Sequence, residues 1–312
     1  MRIVVTGALG HIGSRLIREL PLSFPAGEIV MVDNMMTQRY ASLFNLPAEG
    51  RYRFVEGDVT KMPLEALLDG ATVVVHLAAI TDAAGSFDRA EQLERNNFEA
   101  TKRLAEACAE SGVAMITLSS TSVYGTQASL VDEDCSEDEL NPQSPYAVTK
   151  LKEERLIERL VKEHGLRAVI YRFGTIFGTS PGMRFHTAVN KFCWQSVMGL
   201  PVTVWTTAYD QKRPYLDLGD ACRAIAHIIN KDLFDGRVYN VLSQNATVRE
   251  VVESIRKFVP DLEVKFVDNK IMNQLSYEVS CKRFTQTGFE FSGSVPDGIG
   301  ETIRLLRGAN QR

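Results

Sequence analysis

No stretch of the sequence approaches the ~20 consecutive apolar residues that a helical bilayer span requires, which excludes an integral helical membrane protein. No basic-then-apolar leader precedes the first apolar run at Arg2, so the expectation is a soluble, cytoplasmic chain. Cysteine is scarce: the five, at 108, 135, 193, 222 and 281, are scattered and lack the CxxC or His/Cys spacing of a metal site. They read as reduced thiols, and no metal is expected. Charge of neither sign dominates, with 35 Lys and Arg against 39 Asp and Glu, so the basic footprint that nucleic acid or an anionic membrane demands is missing. Repeats and low-complexity tracts are absent too. The acidic cluster Asp132, Glu133, Asp134, Glu137, Asp138 and Glu139 reads as a solvated loop.

What is present is ordinary globular composition, with 312 residues, 45% of them hydrophobic and 24% charged, enough for one large or two modest domains. Short apolar runs at 2–6, 28–33, 52–58, 73–79, 114–120 and 168–173 alternate with helical patterns near 11–20, 62–69, 90–111 and 146–164. That is the rhythm of a parallel sheet covered on both faces, which makes the expected fold class α/β with a doubly wound, Rossmann-type sheet. After about residue 175 the rhythm loosens into helices near 187–199 and 218–231 and a strand at 237–241. The expected division is a dinucleotide-binding domain over 1–175 and a smaller, mainly substrate-binding subdomain over 176–312, with segments near 213–241 returning to the large sheet.

Gly7, Gly10 and Gly13 follow the first strand and open a helix together with His11 and Ile12. Glycine is needed there because the turn is tight, the backbone must approach a pyrophosphate, and the helix must pack on the strand. The helix N-terminus then offers free N–H groups to the phosphates. About 20 residues further on, Asp33 ends the second strand beside Asn34, where a carboxylate accepts ribose hydroxyls and repels a 2′-phosphate, which favours NAD over NADP. Standing alone, Asp33 would read as a polar turn residue. Asp58, followed by Val59 at the end of the third strand, allows the same two readings, the functional one placing it beside the adenine.

Tyr146 and Lys150 lie at i and i+4 on one helical face. A phenol with an ordinary pKa near ~10 is a poor base at neutral pH, and an ammonium one turn away, with the positive nicotinamide ring, supplies a field that favours phenolate. Singly, such residues are a packing aromatic and a solvated charge; behind a glycine-rich turn they read as an acid–base pair.

With TGALGHIG at 6–13, Asp33-Asn34, GDV at 57–59, VVHLAA at 74–79, Asn97, LSSTSVYG at 118–125, YAVTK at 146–150, YRFGTIFG at 171–178 and RPYLDLGDACRAI at 213–225, the chain resembles the extended short-chain dehydrogenase/reductases. Within them it is similar to the NAD-dependent epimerase/dehydratase family acting on nucleotide sugars. The resemblance implies Tyr146 as catalytic base, Lys150 as its modulator and a ligand of the nicotinamide ribose, and Ser120 as catalytic hydroxyl with Thr121 as fallback. It implies NAD contacts from Gly7, Gly10, His11, Ile12, Gly13, Asp33, Asn34, Asp58, Val59, Leu77, Ala78, Ala79, Asn97 and Lys150. Substrate contacts are implied for Thr175, Arg184, His186 and Arg213, the last pairing with the diphosphate. Trp205 and Phe192 read either as a platform for the nucleotide base or as core.

In the dehydratase and decarboxylase branches a carboxylate follows the catalytic hydroxyl; here the positions hold Thr121 and Ser122, which leaves redox at one carbon. The SPGMR loop at 180–184, with Pro214 and Asp217, points away from the galactose branch. Two outcomes remain, and on family frequency the resemblance implies a nucleotide-sugar 4-epimerase passing through a 4-keto sugar. The alternative is a C4 dehydrogenase or ketoreductase that releases the keto-sugar, and, behind both, a non-catalytic NAD-binding regulator. The resemblance also implies a homodimer through the helices at 90–111 and 146–164, whose apolar residues exceed what one sheet face needs.

Overall fold

A computed structural model describes residues 1–81, 90–125, 130–268 and 276–309. The strands are β1 Arg2–Thr6, β2 Glu28–Asp33, β3 Arg51–Glu56, β4 Val73–His76, β5 Ala114–Ser120, β6 Leu130–Val131, β7 Ala168–Phe173, β8 Thr175–Phe177, β9 Val202–Trp205, β10 Lys212–Asp217, β11 Val238–Val241, β12 Gln244–Thr247, β13 Val264–Val267 and β14 Glu278–Val279. The α-helices are α1 His11–Ser23, α2 Glu65–Leu68, α3 Ala90–Ser111, α4 Pro145–His164, α5 Ala188–Val197, α6 Leu218–Lys231, α7 Val248–Arg256, α8 Lys282–Thr285 and α9 Val295–Leu306. None of the described helices is long and apolar enough to cross a membrane.

Seven strands form one sheet in the order β11-β7-β5-β4-β1-β2-β3, every pair parallel. The chain winds outward from β1 in one direction through β2 and β3, then returns to β4 on the other side, so the order reverses between β1 and β4. In an open parallel sheet a ligand crevice forms beyond the strand C-termini at such a point. Both faces are covered because the strands are apolar on both sides. Leu16, Ile17 and Leu20 of α1 and Ile225 and Ile228 of α6 fill one face, and Ala100, Leu104, Leu156 and Leu160 of α3 and α4 fill the other. A third core, with Phe177, Val189, Val251, Ile255 and Ile299, belongs to the C-terminal body.

Two runs end earlier than their apolar pattern suggests. β3 stops at Glu56 and β4 at His76, so Gly57-Asp58 and Leu77-Ala78-Ala79 leave the sheet as loops at its C-terminal edge. Of the 213–241 stretch, α6 and β11 lie with the large sheet, whereas β10 pairs with β8 and β12 in a separate sheet. Helix α1 runs on past Leu20 through Pro21. Proline has no N–H for the carbonyl of Ile17, and the Tyr52 hydroxyl donates to that carbonyl instead, at 3.0 Å.

The apolar surplus expected on α3 and α4 is consumed inside the monomer. Leu93, Leu104, Leu151 and Leu156 are buried, and of the large apolar residues on α4 only Val148 is exposed. Arg95 and Glu99 of α3 and Lys152 and Arg155 of α4 are exposed as well. The acidic cluster is largely solvated as expected, except that Glu133 turns inward and accepts the Asn240 N–H at 2.6 Å. Phe192 is a core residue, and Trp205 ends the β9 strand that pairs with β13.

Candidate active site

The crevice at the strand-order reversal is a cleft of about 380 Å³. Its floor is the turn after β1. Gly7 has φ +65°, and a Cβ there would lie 2.7 Å from the Ala78 nitrogen; at Gly13 it would lie 2.4 Å from the Gly7 carbonyl oxygen. Side chains are therefore excluded, and backbone faces the cleft. Gly10 caps α1 without any side-chain hydrogen bond, and no acidic residue occupies the first turn, so the first N–H groups and the positive end of the helix are left for an anion. This bare cradle fits a dinucleotide pyrophosphate.

Asp33 is braced at the next strand end. One carboxylate oxygen accepts the Leu9 N–H at 3.1 Å and the other accepts the Met35 N–H at 3.0 Å. Asp58 accepts both the N–H and the hydroxyl of Thr60, at 2.9 and 2.7 Å. Partial burial alone would push the Asp58 carboxyl up, but these bonds and the Lys61 ammonium hold it below its ordinary value.

Tyr146 and Lys150 are placed by the start of α4, where Ser144 accepts the Ala147 N–H and Pro145 occupies the first turn. The Lys150 ammonium lies 5.9 Å from the centre of the Tyr146 ring. Burial pushes the phenol above its ordinary value; Lys150 pulls it down, Glu153 pushes it up and Arg184 pulls it down, with a net rise. Lysine alone does not make this phenol acidic.

Ser120 lines the same end of the cleft, its oxygen accepting the Ser122 hydroxyl at 2.9 Å. With them at the cleft wall are Gly7, Gly10, His11, Ile12, Gly13, Asp33, Asn34, Asp58, Val59, Leu77, Ala78, Ala79, Arg184 and His186. Four expected residues are not brought there. Thr121 is buried and donates its hydroxyl to the Phe173 carbonyl at 3.3 Å. Thr175 sits between the lining residues Gly174 and Ile176, and strand alternation turns it away from the cleft. Arg213 stacks on Tyr277, its guanidinium 5.5 Å from the ring centre, and donates to Gln211 at 2.9 Å. Asn97 acts from behind the wall, its amide accepting the Ile80 N–H and donating to the Ile80 carbonyl, both at 2.8 Å. It fixes the loop that carries Ala78 and Ala79.

The sequence reading missed Arg39, which lines the cleft near Asp33 and Gly10. Its only sequence signal was a basic residue in the turn after β2. It also missed how the 178–184 loop is seated. Ser180 donates its hydroxyl to the His11 carbonyl at 2.8 Å, Gly182 donates its N–H to Ser14 at 2.9 Å, and His11 Nε2 donates to the Gly178 carbonyl at 2.9 Å. The 178–184 loop thus rests directly on the start of α1, beside the glycine turn.

His11 and His76 are both buried. Burial pulls His11 down to about 4, and burial with the Lys150 ammonium pulls His76 down to about 3, each from an ordinary 6.5. Because the unfolded chain takes up these protons first, their stabilising contribution is whole above pH 6.5 and is lost as the pH falls toward the folded values. Protonation of His11 alone costs on the order of 3 kcal/mol. Thermal melts should show Tm dropping steeply between pH 6.5 and 4; a flat Tm over that interval contradicts this account.

A seven-stranded parallel sheet, a bare glycine cradle at its reversal point and a Tyr–Lys pair facing it define an extended short-chain dehydrogenase/reductase. The chain belongs to the NAD dependent epimerase/dehydratase family, whose model matches residues 3–241, and is an NAD-dependent enzyme of that family. It is 32% identical over 318 aligned residues to a Bacillus subtilis protein described as an uncharacterized UDP-glucose epimerase, YtcB, with 98% of each chain covered. A crystal structure of the Bacillus cereus UDP-glucuronic acid 4-epimerase with UDP-glucuronic acid and NAD is similar with a TM-score of 0.87 and 26% identity, over 99% of this chain and 100% of that one. The dTDP-glucose 4,6-dehydratase DesIV of Streptomyces venezuelae has a TM-score of 0.84 and 26% identity, over 99% and 97%.

Proposed function

We propose that this enzyme is a nucleotide-sugar epimerase acting at C4 through a transient 4-keto sugar, with a UDP-sugar as the substrate to test first. One observation carries the choice of epimerase over dehydratase: among the described residues lining the cleft, the only carboxylates are Asp33 and Asp58, both on the β2–β3 side. At the other end stand Tyr146, Lys150 and Ser120. Thr121 is committed to Phe173 and Ser122 to Ser120, so neither offers an acid or base to a second sugar carbon. The names of the Bacillus relatives support the same reading.

Gly7, Gly10, Gly13 and the first turn of α1 would hold the NAD pyrophosphate, and Asp33 the adenosine ribose. The chemistry that NAD supplies when bound is reversible hydride acceptance, and its ring charge adds to the field on Tyr146. Tyr146 takes the proton of the C4 hydroxyl and later returns it. Ser120 holds that hydroxyl against the phenol, and Lys150 supplies positive charge beside it. Arg184 and His186, which line the same cleft as Tyr146, would border the sugar.

Purified protein given UDP-, GDP-, dTDP- and CDP-sugars should interconvert C4 isomers of one of them without net NADH. Stoichiometric NADH with release of a keto-sugar would establish the dehydrogenase instead. The five free cysteines, three of them buried, support a reducing, cytoplasmic setting. A homodimer across α3 and α4 belongs to this reading, now through Val148 and the exposed charges of both helices, and light scattering reads it directly.

A further inference from the structure

Two neighbouring acidic residues of α4, Glu153 and Glu154, are buried, and they are tied down in different ways. Glu154 is held by Arg172, which donates to it at 2.7, 3.0 and 3.2 Å, and by the Ser119 hydroxyl. Among the described residues Glu153 has a single hydrogen-bond partner. One of its oxygens lies 2.9 Å from the Lys150 ammonium, with the two side chains 3% and 6% exposed. Its other oxygen, Oε1, is buried and has no hydrogen-bond partner among the described residues. A buried carboxylate with one bond and one orphaned oxygen contributes little as scaffolding and costs desolvation.

We propose that Glu153 is a positioning residue, which fixes the Lys150 ammonium beside Tyr146 and offsets part of the positive field that this ammonium exerts on the phenol. The inference rests on the reading of Tyr146 as the base. The charges around the pair make Glu153 the one that decides. Arg184, in the loop before α5, reinforces Lys150. His76 of β4 is tied to the Thr6 hydroxyl at 2.7 Å and buried. Arg172 of β7 and Glu154 neutralise each other. The buried residues of α3, which packs beside α4, are Leu93, Asn97, Ala100, Thr101, Leu104, Ala105 and Cys108, and none supplies a charge. Among the described residues Glu153 is thus the carboxylate in direct contact with the Lys150 ammonium, with Glu154 adding a smaller pull on it, and Glu153 acts in the direction of a less acidic phenol.

Replacing Glu153 by Gln keeps the shape and removes the charge. The acidic limb of the kcat/KM profile should move to lower pH by about one unit, giving up to roughly tenfold more activity below it. In cofactor-free protein, the tyrosinate absorbance that disappears in Tyr146→Phe should titrate earlier by a similar amount in Glu153→Gln. Glu153→Asp, which keeps the charge but shortens its reach, should shift both readings the same way by less, and carries the test if Glu153→Gln does not fold. A merely structural Glu153 would lower activity equally at every pH. An unshifted limb and an unshifted titration in the folded variants overturn the proposal while leaving the base intact; full turnover by Tyr146→Phe would instead overturn the base.

Discussion

Tyr146→Phe is expected to lower turnover by roughly 10²–10⁴-fold, the usual contribution of a positioned general base, while leaving the fold and NAD affinity in place. The change removes one oxygen from the end of a ring that α4 continues to hold. The glycine turn, Asp33 and Asp58 lie on other elements and are not altered, so binding should persist where chemistry fails. Titration calorimetry with NAD, run beside the turnover assay, separates the two. If the variant keeps wild-type turnover, the phenol is not the base; if it loses NAD affinity as well, Tyr146 is a binding residue first.

The second large effect lies beneath the site. Glu154→Ala should destabilise the protein by about 3–5 kcal/mol, because it strands the Arg172 guanidinium, only 5% exposed, without its carboxylate. The damage spreads along one network. Arg172 also donates to the Tyr124 hydroxyl at 2.9 Å, which donates in turn to Asn240 on β11 at 2.9 Å, so β7, β11 and the loop after β5 share the loss. Replacing both partners, as Glu154→Met with Arg172→Met, should cost less than Glu154→Ala, since no buried charge is left unpaired. Denaturant melts of the three proteins settle the order. Equal stability of Glu154→Ala and wild type would mean that the pair contributes nothing net. Glu153→Gln, one residue away, should be milder, because Lys150 keeps contact with the cleft.

Much of the cofactor end was legible in the sequence because its requirements are local. A tight turn between strand and helix needs Gly7, Gly10 and Gly13 within a few residues, and a strand end puts Asp33 at the cleft wall. Tyr146 and Lys150 share a face because a helix returns after four residues. The substrate end was less legible. Thr175 and Arg213 are assigned from their motifs, yet β8 and β10 belong to a second sheet, where Arg213 stacks on Tyr277 and donates to Gln211. Asn97, expected at the cofactor, braces Ile80 of the neighbouring loop. Arg39 gave no sign beyond its charge.

The sequence by itself determined the parallel sheet, its covering helices, the glycine cradle and the Tyr–Lys pair, since each is written in periodicity or short spacing. Tertiary structure alone decided that the 178–184 loop rests on the start of α1, that Tyr52 relieves the carbonyl opposite Pro21, and that the phenol of Tyr146 sits above its ordinary value. Those outcomes depend on burial and on partners from distant parts of the chain, and neither can be read from neighbours in sequence.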